Sequence, residues 1–180
     1  STIIRHICGV YRPDSGKILF EGKDITDMPI DERARAGIAF AFQQPVRFKG
    51  VTVHDLLNIS SKSQLSFNEV CDTLANVGLC ANGYVDREVS GDLSGGELKR
   101  IEIASVLLRR AKLTIFDEPE AGIDLWSFNN LISVFNQMQQ DMSGSIVVIS
   151  HQERILRIAD EVILLTDGHI ERIVPKGEPL

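Results

Sequence analysis

The sequence is poor in residues that could tie a chain together covalently. Only three cysteines occur in 180 residues, Cys8, Cys71 and Cys80. Their number is odd and no two form a CxxC pair, so neither a disulfide framework nor a metal-ligand set is indicated. They read as thiols of a reducing compartment. Long apolar runs are lacking as well: none approaches the roughly 18 residues needed to span a bilayer. Ser1 opens directly onto an amphipathic stretch rather than a secretory signal, so a cytoplasmic location is expected. Basic charge is scarce too. Lys and Arg number 19 against 25 Asp and Glu, a formal net charge of -6. A nucleic-acid partner is therefore not expected, since it calls for a basic footprint. What remains is an ordinary globular composition, 43% hydrophobic and 24% charged, in a chain long enough to fold without disulfides or metal.

Apolar periodicity divides the chain into alternating elements. Residues 2–10 read as a helix with Ile3, Ile4 and Ile7 on one side. A turn at Pro13, Ser15 and Gly16 leads to a strand at 17–20, and Glu21-Gly22-Lys23 reverses the chain into a second short strand. A helix over 31–36, with Asp31 as its expected cap, stops at Gly37, and a buried strand follows over 38–42. Between 46 and 92 the character changes. Two weaker helical patterns, 53–59 and 67–77, are separated by Ser, Asn and Gly, which predicts an inserted helical subdomain. A long helix over 95–109, a strand over 112–116, a helix over 125–140 and a strand over 145–149 come next. A helix over 152–158 and two strands about Asp167-Gly168 close the chain. Buried strands alternating with helices imply an α/β fold with a mostly parallel sheet, flanked by helices, plus a small antiparallel portion. Ligands of such sheets bind beyond the carboxyl ends of the strands.

The polar residues that could carry chemistry fall at those ends. The apolar run Leu113 to Phe116 delivers Asp117 and Glu118 side by side. One carboxylate could hold Mg²⁺ and the next could orient and polarise an attacking water; the plain alternative is a solvated acidic turn. Ser94 and Glu97 have the spacing of a capping box, which would explain a helix start. It does not explain Gly95 and Gly96 in the first helical turn, where each costs roughly 1 kcal/mol relative to alanine. Bare backbone N–H groups at a helix N-terminus suit a phosphate. His151 follows the strand 145–149, where a neutral imidazole could bond a terminal phosphate or its attacking water. Gln43 follows the strand 38–42, and its amide could bond a Mg²⁺-bound water and a neighbouring acceptor together. Ser1-Thr2 opens a helix. In a G-x-x-x-x-G-K-[ST] loop that hydroxyl would bind Mg²⁺, but no such glycines or lysine precede it in the numbered sequence.

Taken in order, these residues resemble the ABC ATPase family, a P-loop NTPase-type fold, over essentially all 180 residues. Ser1-Thr2 is similar to the end of Walker A and Gln43 to the Q-loop. Leu93 to Glu97 is similar to the signature motif, Leu113 to Glu118 to Walker B, Ala121 to Asp124 to the D-loop, and His151 to the switch histidine. The resemblance implies one ATPase domain, with a catalytic core over 1–45 and 93–180 and the helical subdomain over 46–92. It implies ATP and Mg²⁺ as cofactors, Glu118 and His151 as catalytic residues, and Ser1, Gln43 and Asp117 around the metal. Thr2, Ser94, Gly95, Gly96, Glu97 and Asp124 would complete the nucleotide site. The signature residues would act on a nucleotide held by a second copy, in an ATP-dependent head-to-tail dimer.

Finer features resemble one branch of the family. Glu97 after the glycines, the Lys99-Arg100 pair, Gly122-Ile123-Asp124 and Tyr84 to Arg87 are similar to the ATPase of the SUF iron–sulfur cluster assembly machinery. That likeness implies a soluble SUF scaffold as partner; the other reading is a transporter subunit docked on a membrane permease. Because the Walker A glycines and lysine lie outside the 180 residues, this stretch alone is expected to bind ATP poorly.

Overall fold

Three strands with apolar centres form the floor of the structure. They are β3 (Ile38–Ala41), β4 (Leu113–Asp117) and β5 (Ser145–Ile149), all parallel and hydrogen-bonded in the order β3-β4-β5. Ala41 lies beside Phe116, and Asp117 beside Ile149. The computed structural model describes residues 2–61, 63–141 and 144–178, and Leu125, Trp126 and Asp141 by their backbone only. Residues 1–149 and 150–180 form two compact units.

Strand alternation gives β4 two different faces. Leu113 and Ile115 point to a cluster with Ile4, Cys8, Ile25 and Ile38, which seats helix α1 (Thr2–Cys8) and the hairpin β1 (Leu19–Phe20) and β2 (Lys23–Asp24). Thr114 and Phe116 point the other way. The Phe116 ring meets Phe135 of α7 (Leu125–Asp141) edge to face, 5.0 Å between centroids. β5 reaches its place beside β4 only because residue 144 is glycine. A Cβ there would lie 2.5 Å from the Ala111 carbonyl oxygen.

Helix α2 (Ile30–Ala36) differs from expectation at its start. Pro29, not Asp31, occupies the N-cap; Asp31 sits in the first turn, where a carboxylate favours the helix dipole, and pairs with Arg35 at 2.6 Å. Gly37 ends the helix as expected, in left-handed conformation at φ 111°. The same helix carries Arg33, 2% exposed. Its guanidinium donates to the carbonyls of His6 and Ile7 at 2.7 Å, and of Thr26 and Met28 at 2.8 Å. One buried cation thus satisfies the open carboxyl end of α1 and fastens it to the chain after β2.

Residues 46–92 contain α3 (Val53–Ser61), α4 (Phe67–Asn76) and the short α5 (Ala81–Tyr84), which sequence periodicity did not reveal. Val53, Leu57, Val70 and Leu74 of α3 and α4 are fully buried, and both helices pack on α6 (Gly95–Leu108), which also packs on β3. Covered from several sides, α6 buries Leu98, Ile101, Ile103, Ala104 and Val106. The second unit holds α8 (Glu153–Leu156), shorter than expected, and the antiparallel hairpin β6 (Glu161–Thr166) and β7 (His169–Pro175). Among the described residues no helix is long and apolar enough to cross a membrane, and the three cysteines form no disulfide.

Thr114 is wholly buried in β4, and its hydroxyl has no hydrogen-bond partner among the described residues. A buried unsatisfied hydroxyl is a liability that an isosteric methyl removes. Thr114→Val is therefore expected to raise unfolding stability by about 1 kcal/mol, measured by urea denaturation; a loss of stability would show that the hydroxyl has an unseen partner.

Candidate functional site

The carboxyl ends of β3 and β4 bring Gln43, Asp117 and Glu118 together. Asp117 is the last residue of the strand and only 5% exposed. Glu118 follows with φ 46°, a left-handed backbone that non-glycine residues adopt at some strain. That conformation turns the chain out of the sheet, while its N–H still donates to Ile149 O at 2.9 Å. The half-buried Glu118 carboxylate accepts from the Gln43 side-chain amide at 2.6 Å. The sequence placed these residues at the ends of neighbouring strands, together with His151, but nothing in it signalled the strained backbone.

A second group of polar residues, absent from the sequence reading as a site, fixes the Gln43 loop. Lys99 of α6 is 1% exposed, and its ammonium donates to Phe42 O, to Gln43 O at 3.4 Å, and to Glu102 Oε2 at 3.2 Å. Glu102 Oε1 in turn accepts from Phe42 N–H at 3.2 Å. Burial raises the Glu102 carboxyl above its ordinary range, and Lys99 opposes that shift.

The N-terminus of α6 is built as the spacing implied. Ser94 accepts from Glu97 N–H at 3.3 Å and Glu97 accepts from Ser94 N–H at 2.7 Å, a complete capping box. Gly95 and Gly96 are helical, neither at positive φ. A Cβ on Gly95 would meet no atom within 4 Å, and one on Gly96 would make only ordinary contact with Gly122 O at 3.5 Å. The fold of this chain therefore does not demand glycine at either position.

Glu97 has a third partner that the motif did not reveal. Tyr84 of α5 donates its hydroxyl to Glu97 Oε1 at 2.5 Å, and the Arg87 guanidinium lies over the Tyr84 ring, 5.2 Å from its centroid. The Tyr84 bond, then the Ser94 bonds, hold the Glu97 carboxyl down at about 2. A depressed folded-state value means that the bracing is complete above about 4.5, the carboxyl's ordinary value, and fails only as pH falls through about 2.

The remaining predicted residues are placed as follows. Thr2 is exposed at the first position of α1, whereas Ser1 lies outside the described residues. Asp124 caps α7: it accepts from Ser127 N–H at 3.0 Å and from the Ser127 hydroxyl at 2.7 Å. His151 lies in the second unit, two residues beyond β5, with its side chain exposed. Asp117 and the Gln43 amide oxygen are hard donors of the kind Mg²⁺ takes alongside water and substrate phosphates, so the residues present fit that ion. Among the described residues no three His, Cys, Asp or Glu side chains form a metal-holding group of their own.

Comparison with known proteins decides the family. The model of the ABC transporter family matches residues 1–121. This chain belongs to the ABC transporter ATPase family. An uncharacterised ABC transporter ATP-binding protein of Methanocaldococcus jannaschii is 37% identical over 187 residues, covering 99% of this chain and 73% of that protein. The spermidine/putrescine import ATP-binding protein PotA of Mesoplasma florum is 32% identical over 179 residues, covering 96% of this chain. This chain spans about half of PotA, 49% of its length. In structure, the dimeric, post-hydrolysis ATP-binding cassette MJ0796 bound to ADP and Pi superposes with TM-score 0.82 at 22% identity, covering 97% of this chain and 79% of that one. The P-loop NTPase-type α/β fold of an ABC ATPase is thus established, and domains of this family bind ATP with Mg²⁺ and hydrolyse it.

The same relatives overturn the expectation of iron–sulfur cluster assembly on a SUF scaffold, since they are ATP-binding proteins of transporters. The residues that suggested SUF have local work in this chain. Glu97 closes the capping box, Lys99 holds the Gln43 loop, and Tyr84 braces Glu97. Such contacts serve the domain itself and carry no information about its partner. Tyr84→Phe is expected to move the Glu97 carboxyl up from about 2 toward 4.5, read by carboxyl-carbon NMR titration; an unmoved value would remove Tyr84 as the cause.

Proposed function

We propose that the chain is the ATP-hydrolysing subunit of a membrane ABC transporter, acting at the cytoplasmic face against a permease. The observation that carries the enzymatic part is the pair Gly95 and Gly96. Both are helical and both have room for a methyl group, so glycine at both positions points to something outside the chain that approaches closely. A bare helix tip of this kind suits the terminal phosphate of a nucleotide held by a second copy. The dimeric cassette among its structural relatives supports such a pairing.

In this reading residues 1–45 and 93–180 form the catalytic core and 46–92 its helical subdomain. Glu118 accepts a hydrogen bond from the attacking water and polarises it, and Gln43 sets the direction of that carboxylate. Asp117, Gln43 and the Ser1 hydroxyl would hold Mg²⁺, and Thr2 would complete the nucleotide site. Bound Mg²⁺ supplies charge neutralisation at the phosphates. His151 donates to the terminal phosphate. Ser94, Gly95, Gly96 and, across the dimer interface, Asp124 meet the partner's nucleotide, with Glu97 fixing the helix tip. The transporter relatives support a permease as the attached machine.

Two variants of the full-length protein test the enzymatic part together. Glu118→Gln should lower ATP turnover by about 10²- to 10⁴-fold while nucleotide binding persists. Gly95→Ala should leave stability equal or higher, by up to about 1 kcal/mol, and still lose turnover. Normal hydrolysis in either variant refutes the assigned role. The partner is tested separately: the full-length protein should copurify with a permease from detergent-solubilised membranes, and recovery with a soluble assembly alone would refute the transporter reading.

A further inference from the structure

The attraction between its two charges does not by itself explain the buried ion pair of α6. Lys99 is 1% exposed and the Glu102 side chain 13%, on a helix whose neighbouring positions are filled by Leu98, Ile101 and Ile103. Apolar residues of similar volume usually serve such sites equally well or better. What apolar residues could not do is hold backbone. β3 ends at Ala41, so the sheet no longer serves the peptide groups beyond it, and α6 takes over. Lys99 donates to the carbonyls of Phe42 and Gln43, and Glu102 accepts from the Phe42 N–H. The very next side chain, Gln43, is the one bonded to Glu118.

We propose that Lys99 and Glu102 are positioning residues that tie the glycine tip of α6 to the Gln43–Glu118 contact. Lys99 lies three residues beyond Gly96 on one continuous helix, and Glu102 six beyond it. A load on the tip, such as engagement of a phosphate on the partner copy, moves the pair with the helix. The pair moves the backbone of Phe42 and Gln43, and the Gln43 amide then shifts against the Glu118 carboxylate. One chain thereby senses, at its own water-activating residue, whether its signature helix is engaged. The inference rests on the roles proposed above for Glu118 and for the glycine tip.

The test uses the full-length protein and two variants. The double variant Lys99→Met with Glu102→Leu removes both charges at once, leaving no buried charge unpaired; Lys99→Arg keeps a cation that can donate to the same carbonyls. Hydrogen–deuterium exchange of the Phe42 amide, without nucleotide, should quicken at least about tenfold in the double variant and stay near the parent rate in Lys99→Arg. With MgATP, kcat should fall at least about tenfold in the double variant, with KM within about twofold, and Lys99→Arg should recover most of it. Unchanged exchange at Phe42 overturns the proposal, as does an unchanged kcat. A fall in kcat accompanied by a general loss of thermal stability and a raised KM overturns it too, because the pair would then be merely structural. Absence of hydrolysis in the parent protein would fall on the proposed function instead, and the exchange measurement would still decide the link.

Discussion

β4 is buried on both of its faces, with Ile115 set against the cluster around α1 and Phe116 against Phe135 of α7. A strand gripped from two sides cannot shift along its axis without breaking one packing or the other. Its last residue, Asp117, and the residue after it therefore stand at a fixed height relative to β3 and β5. That fixity is what the polar chemistry of the site depends on. Gln43 comes from the end of β3, and Glu118 is tied by its backbone to the end of β5. The carboxylates are placed by the hydrophobic burial of the strand that carries them.

Helix α6 is the second fixed body, and it unites features that look unrelated in the sequence. Its tip is capped by Ser94 and Glu97 and braced by Tyr84. Its body is buried under α3 and α4. Its flank carries the only polar pair that reaches the Gln43 loop among the described contacts of that loop with α6. The helical segment 46–92 thus serves the site indirectly, by covering the helix that presents it.

Much of this was legible in the sequence because it rests on local rules. The capping box of α6, the left-handed stop at Gly37, the parallel strands and the hairpin about Asp167-Gly168 all follow from spacing or from residue type. The features that escaped are set by tertiary contact. Nothing in the spacing of 31–36 singles out Arg33, yet it is buried because four carbonyl oxygens converge on it. Lys99 was read only as a mark of one branch of the family and Glu102 not at all, yet both lie against a loop more than fifty residues away in the chain. Asp31 was expected to cap α2, but the chain enters that helix two residues earlier, through Pro29. The partner was misread for a related reason: residues that looked diagnostic of a branch of the family are occupied with holding their own domain together.

The left-handed backbone at Glu118 restricts what evolution can try there. Valine, isoleucine and threonine crowd that region of conformational space with their branched Cβ, whereas asparagine, aspartate and glycine enter it readily. A lineage that abandoned hydrolysis while keeping this sheet would drift at residue 118 toward small or amide side chains and away from branched ones. The range of tolerated residues would then record the shape of the turn even after its chemistry had gone.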